Sequence, residues 1–116
     1  MLIQIPDMLS REAALALRAQ ILDAEWVDGN ATSGPGSAMK KFNRQLPEES
    51  PAAQAAQQVV AQALSSNELF LSAALPHTIF PPLFNRYGPG ETFGTHVDNA
   101  VRIHGASGTR IRTDLS

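Results

Sequence analysis

Tyr87-Gly88-Pro89-Gly90-Glu91-Thr92-Phe93-Gly94-Thr95-His96-Val97-Asp98 is the stretch that decides how this chain is read. A glycine-rich turn delivers an extended segment carrying His96 and Asp98 two residues apart. Along a strand, side chains alternate faces, so residues i and i+2 point the same way one pleat apart. An imidazole and a carboxylate on one face reach one cation. Such a pair supplies two of the three ligands of a 2-His-1-carboxylate triad, which leaves positions open on non-haem Fe(II). The expectation is therefore that His96 and Asp98 lie on one strand, facing inward, and hold a metal. Chance weighs against the pair taken alone. With three His and five Asp in 116 residues, His-x-Asp arises at random in roughly one such composition in eight. The Gly-Pro-Gly turn, the aromatic approach and Phe93 three residues before His96 are what lift it above chance.

Working outward, the grammar on the two sides differs. Before residue 76 the chain is mostly helical. Ser10 is a good N-cap, Glu12 falls in the first turn, and Ala14, Leu17 and Ile21 recur at helical spacing, predicting a helix over 11–24. Ser50-Pro51 opens a second helix with a cap followed by proline at its first position. Ala52, Ala55, Ala56, Val59, Val60, Ala63 and Leu64 make its apolar stripe. Asn67 caps a short third helix that Leu75-Pro76 ends. Leu2–Ile5 reads as an opening strand, residues 26–29 as a short extended piece, residues 29–38 as a surface loop, and residues 39–46 as extended or undefined. From residue 77 onward the pattern is of short strands: 77–80, 83–87, 93–101 and 110–115, with a loop at 104–109. Helices first and strands second is an α+β arrangement, and the last strand arrives in mid-sheet.

Composition narrows the chemistry. A formal charge of −2, from nine basic and eleven acidic residues, gives no electrostatic footprint for nucleic acid or an anionic membrane. There is no cysteine, which excludes a disulfide framework, a thiolate metal site and a cysteine nucleophile. No apolar run approaches membrane-spanning length, and the N-terminus has no secretory pattern, so the default location is cytoplasmic. Ser33, Thr32 and Ser37 sit among glycines without a nucleophile elbow or a His-Asp relay, which leaves a hydrolase unsupported. Of the other candidate ligands, His104 falls in a Gly-Ser-rich loop that would fix a metal poorly. His77 reads as a partly exposed structural histidine, and Glu91 and Asp114 are not at ligand spacing from the pair. Asn99 and Arg102 read as solvated residues at a strand end or as lining of a substrate mouth. Lys40 and Lys41 read as a solvated pair or as a contact for an anionic substrate.

The run FNRYGPGETFGTHVDNAVR, with the later RTDLS, resembles the bacterial PKHD-type hydroxylases, Fe(II)- and 2-oxoglutarate-dependent dioxygenases related to the prolyl 4-hydroxylase catalytic domain. The segments IPDMLS, WVDGNATSG and Lys41 to Leu46 extend the likeness along almost the whole chain. The resemblance implies an N-terminal helical region (1–75) bracing the first strands (76–116) of a double-stranded β-helix, a jelly-roll whose C-terminal strands are missing. It implies that His96 and Asp98 are the first two iron ligands. The third histidine and the arginine that holds 2-oxoglutarate then lie beyond Ser116. Tyr87 corresponds to a tyrosine that donates a hydrogen bond to the co-substrate, against the alternative that it packs in the sheet with its hydroxyl at the rim. The implied cofactors are Fe(2+), 2-oxoglutarate as co-substrate and L-ascorbate as reductant. The implied partners are O2 and a small-molecule or peptide substrate, with an oligomer compatible with an open sheet. A chain reading as half such a protein is expected to be inactive alone. The competing expectations are a non-catalytic fragment that binds a partner through its open edge, and a cupin-like metal-binding β-barrel that does not use 2-oxoglutarate.

Overall fold

The computed structural model describes residues 2–32, 41–103 and 107–115. Three helices are present: α1 (Arg11–Leu22), α2 (Pro51–Ser65) and α3 (Glu68–Ala74). Each starts where a short polar side chain can cap it. Ser10 Oγ accepts from Ala13 N at 3.1 Å, Ser50 Oγ from Ala53 N at 3.1 Å, and Asn67 Oδ1 from Phe70 N at 2.8 Å. Helix α1 stops two residues earlier than the periodicity predicts. The carbonyl of Ile21 is taken by Ala24 N at 3.1 Å and by the indole Nε1 of Trp26 at 3.1 Å, which turns the chain out of the helix. Helix α3 ends with Leu75 in the left-handed region at φ 45°, followed by Pro76, which cannot continue a helix.

The strands are short and pair antiparallel. β1 (Val27–Asp28), β2 (Arg44–Gln45) and β3 (Asn85–Arg86) form one sheet with β2 in the centre. β4 (Val101–Ile103) and β5 (Arg110–Arg112) form a separate hairpin. The architecture is thus mixed α+β with two small antiparallel sheets. The described strands do not by themselves make a double-stranded β-helix. Several predicted strands are absent or reduced. Leu2–Ile5 is unpaired and largely exposed, and 77–80 carries no ladder, its run being interrupted by Pro81-Pro82. The segments predicted at 83–87 and 110–115 shrink to two and three residues. The one predicted over 93–101 is reduced to an isolated Lys41–Phe93 bridge and the start of β4.

Helix α1 packs on α2, and α2 on α3. The core is small: among the described residues Leu46, Ala53 and Ala56 are the buried apolar ones. Leu46 N donates to Phe84 O at 3.0 Å, so the buried leucine at the end of β2 is tied to the approach to β3. Of the predicted α2 stripe Ala56 is buried, Ala52, Ala55, Val60, Ala63 and Leu64 are half-buried, and Val59 lies at the margin, 36% exposed; Ala53, which the stripe did not include, is buried. Buried beside the core are Asn43 and Gln45. Asn43 Nδ2 donates to Asn85 Oδ1 at 3.2 Å, crossing from β2 to β3, while its own oxygen is buried without a hydrogen-bond partner. That oxygen occupies the space where a side chain on Gly29 would begin, so this glycine is required for close approach. Residues 33–40 and 104–106, which the sequence reads as parts of loops and an extended piece, lie outside the described residues, and with them Ser33, Ser37, Lys40 and His104.

Candidate metal centre

The site begins with the turn. Glu91 N donates to Gly88 O at 3.0 Å, with Pro89 second and Gly90 third at φ 78°, the requirements of a type II turn. Glu91 does more than follow the turn. Its carboxylate accepts from Gly88 N at 2.7 Å and locks the turn from inside, which accounts for this residue without a ligand role. The turn returns the chain alongside residues 41–42, where Phe42 N donates to Thr92 O at 2.9 Å and Lys41 bridges Phe93.

Beyond that bridge the chain is not in a regular strand, and the pair does not face inward, both residues being exposed and Asp98 keeping 69% of its side chain accessible, two corrections to the expectation for His96 and Asp98. No ladder flanks residues 94–99. The pair nevertheless converges: His96 Nε2 lies 3.2 Å from Asp98 Oδ1. Val97 between them is 95% exposed, and the two side chains meet without strand pairing. The imidazole is fixed by two further contacts. Its Nδ1 lies 2.7 Å from Gly94 O, and its ring stacks on Phe93 with centroids 3.6 Å apart and planes at 23°. A carbonyl can only accept, so Nδ1 is the donor, and in the neutral ring Nε2 is left as a lone pair.

Two acceptors, the Nε2 lone pair and a carboxylate oxygen, thus face each other across 3.2 Å. That is unfavourable unless a proton or a cation lies between them. Nitrogen and oxygen ligands sit about 2.0–2.2 Å from a divalent metal, so two at right angles are about 3 Å apart. The spacing and the chemistry of the donors both fit two corners of a metal site. A histidine whose second nitrogen donates to a backbone carbonyl is the arrangement that orients metal-bound imidazoles. Among the described residues, no group of three or more histidines and carboxylates is assembled.

The other candidates have different places. Tyr87 directly follows β3 and is 48% exposed. His77 is exposed after α3. Asp114 pairs with Arg112 Nε at 2.9 Å. Arg102 is not a solvated strand-end residue: its guanidinium sits 5.0 Å over the Phe80 ring and 4.0 Å from Glu48 Oε1, pinning the hairpin to the rest of the molecule. Asn99 contributes its carbonyl, which accepts from Thr113 Oγ1 at 3.2 Å. Sequence reasoning missed Gly94, Phe93 and Glu91 as the supports of the pair, and only the proximity of Phe93 had drawn notice. Among the described residues no helix is long and apolar enough to cross a membrane.

These features define a class, an α+β chain presenting a His-x-Asp pair with metal-ligand spacing. Relatives make the class specific. Over all 116 residues the chain is 53% identical to a PKHD-type hydroxylase of Burkholderia thailandensis and 53% to one of Burkholderia lata. It is 55% identical to a PKHD-type hydroxylase of Phenylobacterium zucineum. The resemblance drawn from the Tyr87 to Asp98 motif therefore holds along the whole chain. The chain spans about half the length of these curated relatives, 51% of each. No family model matches it.

Proposed function

We propose that this chain is the part of an Fe(II)- and 2-oxoglutarate-dependent hydroxylase that carries the first two metal ligands, His96 and Asp98. The observation that carries the reading is their convergence at 3.2 Å in a chain similar throughout to PKHD-type hydroxylases. In this reading residues 1–75 form the helical support, and residues 76–116 are the first strands of a jelly-roll. In the same reading a third histidine and a 2-oxoglutarate-binding arginine would be supplied from outside these 116 residues. When bound, the iron supplies dioxygen activation coupled to decarboxylation of 2-oxoglutarate to succinate, with one oxygen atom delivered to substrate and L-ascorbate keeping the metal reduced. The chain's own residues do the holding. His96 offers Nε2 because Nδ1–H is committed to Gly94 O. Asp98 offers charge, and Phe93 covers one face of the imidazole against water. Tyr87 offers a phenolic donor to the co-substrate carboxylate.

The test joins residues 1–116 to the unmatched half of the Phenylobacterium zucineum relative and measures iron-dependent succinate release. Activity is expected, with His96→Ala and Asp98→Ala each reducing it to background. Tyr87→Phe is expected to raise the 2-oxoglutarate KM more than it lowers kcat. Full turnover by either ligand variant would sink the proposal.

A second reading is a non-catalytic module that binds a partner, and the exposed area is what such a partner, or the unmatched half of the relatives, would cover. The chain exposes 8932 Å², against about 6,100 Å² expected for a folded monomer of its mass. Succinate release by the joined protein separates the two.

A further inference from the structure

Lys41 has no part in the metal reading above, yet it is held in place with unusual completeness. Its backbone is gripped by a side chain: Asn30 Nδ2 donates to Lys41 O at 2.6 Å, and Lys41 N donates to Asn30 Oδ1 at 3.1 Å. One amide thus occupies both backbone groups, as a neighbouring strand would. Asn30 is itself fixed, since Asp28 Oδ1 accepts from its N at 2.8 Å and from its Nδ2 at 3.1 Å. Lys41 also bridges Phe93, and its Nζ lies 4.8 Å from the centre of the Phe93 ring. An ammonium over an aromatic face is attracted by the ring quadrupole, which restrains the ring's rotation and tilt. The same ring stacks on His96 at 3.6 Å. A continuous series of contacts therefore runs from Asn30 through Lys41 and Phe93 to the imidazole.

The geometry points to Lys41 as a positioning residue for His96, acting through the Phe93 ring, with Asn30 as the clamp that fixes Lys41. This rests on the hydroxylase reading only in what the positioned imidazole is for; the positioning itself is a property of the chain. Apart from the Asp98 carboxylate at 3.2 Å, His96 is secured by one hydrogen bond to Gly94 O, about which the ring can still rock. The stacked Phe93 removes that freedom and keeps Nε2 aimed at the position it shares with Asp98. Groups that orient a metal-bound histidine typically change metal affinity by about 10–100-fold when removed.

The experiment uses the full 116-residue chain and has two readouts. NMR of the His96 ring protons, assigned by their loss in His96→Ala, reports the stack without any metal, because a stacked phenyl ring shifts them upfield. Titration with Co(II) reports ligand geometry. Phe93→Leu is expected to move the His96 protons downfield and weaken Co(II) binding about tenfold or more. Phe93→Tyr is expected to retain both. Lys41→Met and Asn30→Ala are expected to move the protons in the same direction as Phe93→Leu and weaken binding less, with Lys41→Arg restoring the wild-type values. Thermal melts accompany each variant. A variant that loses its cooperative melt is replaced by Lys41→Gln, read in the same way. If Lys41→Met and Lys41→Gln leave both the ring protons and Co(II) affinity at wild-type values, the positioning role is wrong. If Co(II) binding is equal in wild type and His96→Ala while the ring protons still follow Lys41 and Phe93, the positioning stands and the metal reading falls.

Discussion

At the scale of single residues, the site is built from contacts that cost the fold little to lose. The His96 side chain is about one-third exposed, 31%, and its partners are one carbonyl, one ring and one carboxylate. His96→Ala is therefore expected to change the unfolding free energy of the metal-free chain by no more than about 1 kcal/mol. Urea denaturation checks this, and unfolding of the variant would make His96 a structural residue instead. Gly29 behaves in the opposite way. A side chain there runs into the Asn43 amide, which is itself buried and tied to Asn85. Gly29→Ala is expected to destabilise by about 1–3 kcal/mol, as overpacking does. A midpoint at the wild-type denaturant concentration would mean that Asn43 moves aside freely.

Among the elements, the helices carry the stability, and the site lies on an unpaired segment held between the strands. Helix α2 supplies two of the three buried apolar side chains, Ala53 and Ala56, and starts at a capped serine. Ser50→Ala removes the acceptor for Ala53 N and is expected to cost about 1 kcal/mol. Position along the stripe decides what a charge does. Ala56→Asp buries an unpaired carboxylate at a site with no exposure and is expected to cost about 3 kcal/mol or more. Val59→Asp lies at the exposed margin, and its cost is expected to stay within about 1 kcal/mol. Thermal melts of the two variants side by side provide the comparison, and equal losses would contradict the burial pattern. The β elements are too short to be stable alone. β1, β2 and β3 hold because their flanks are closed by Gly29 N to Asn43 O at 3.0 Å and Leu46 N to Phe84 O at 3.0 Å.

For the molecule as a whole, exposed apolar surface is the dominant fact. Val101 and Ile103 of β4 are exposed, as are Leu69, Leu71, Leu75, Leu83 and Val97. Neither sheet has a closed edge. The isolated chain is therefore expected to self-associate as its concentration rises, which sedimentation velocity across a dilution series measures. A concentration-independent monomer would show that this surface is tolerated in water. The same chain, with two ligands from His96 and Asp98, is expected to release no succinate from 2-oxoglutarate above background. Iron-dependent release by the 116 residues alone would overturn that expectation and return attention to His104 as a third ligand.

What the sequence determined by itself is what depends on neighbours a few residues apart. Ser10, Ser50 and Asn67 cap their helices through bonds to residues three positions on, and those bonds need no partner from elsewhere in the chain. Gly88-Pro89-Gly90 makes its turn for the same reason, because proline and glycine restrict or free the backbone locally. The convergence of His96 and Asp98 was legible as well, since two residues so close in sequence meet without a partner strand. What only the tertiary structure decided is which segments pair. The segments that hold 27–28, 44–45 and 85–86 were read as extended or as a strand, but two-residue strands carry too few side chains to say which pairs with which, and their partners are chosen when long loops close. The same closure brings Lys41 beside Phe93, and so behind His96, and it buries Asn43 against Gly29. Contacts between distant segments depend on the whole packing arrangement, and for that reason no local pattern in the sequence foretold them.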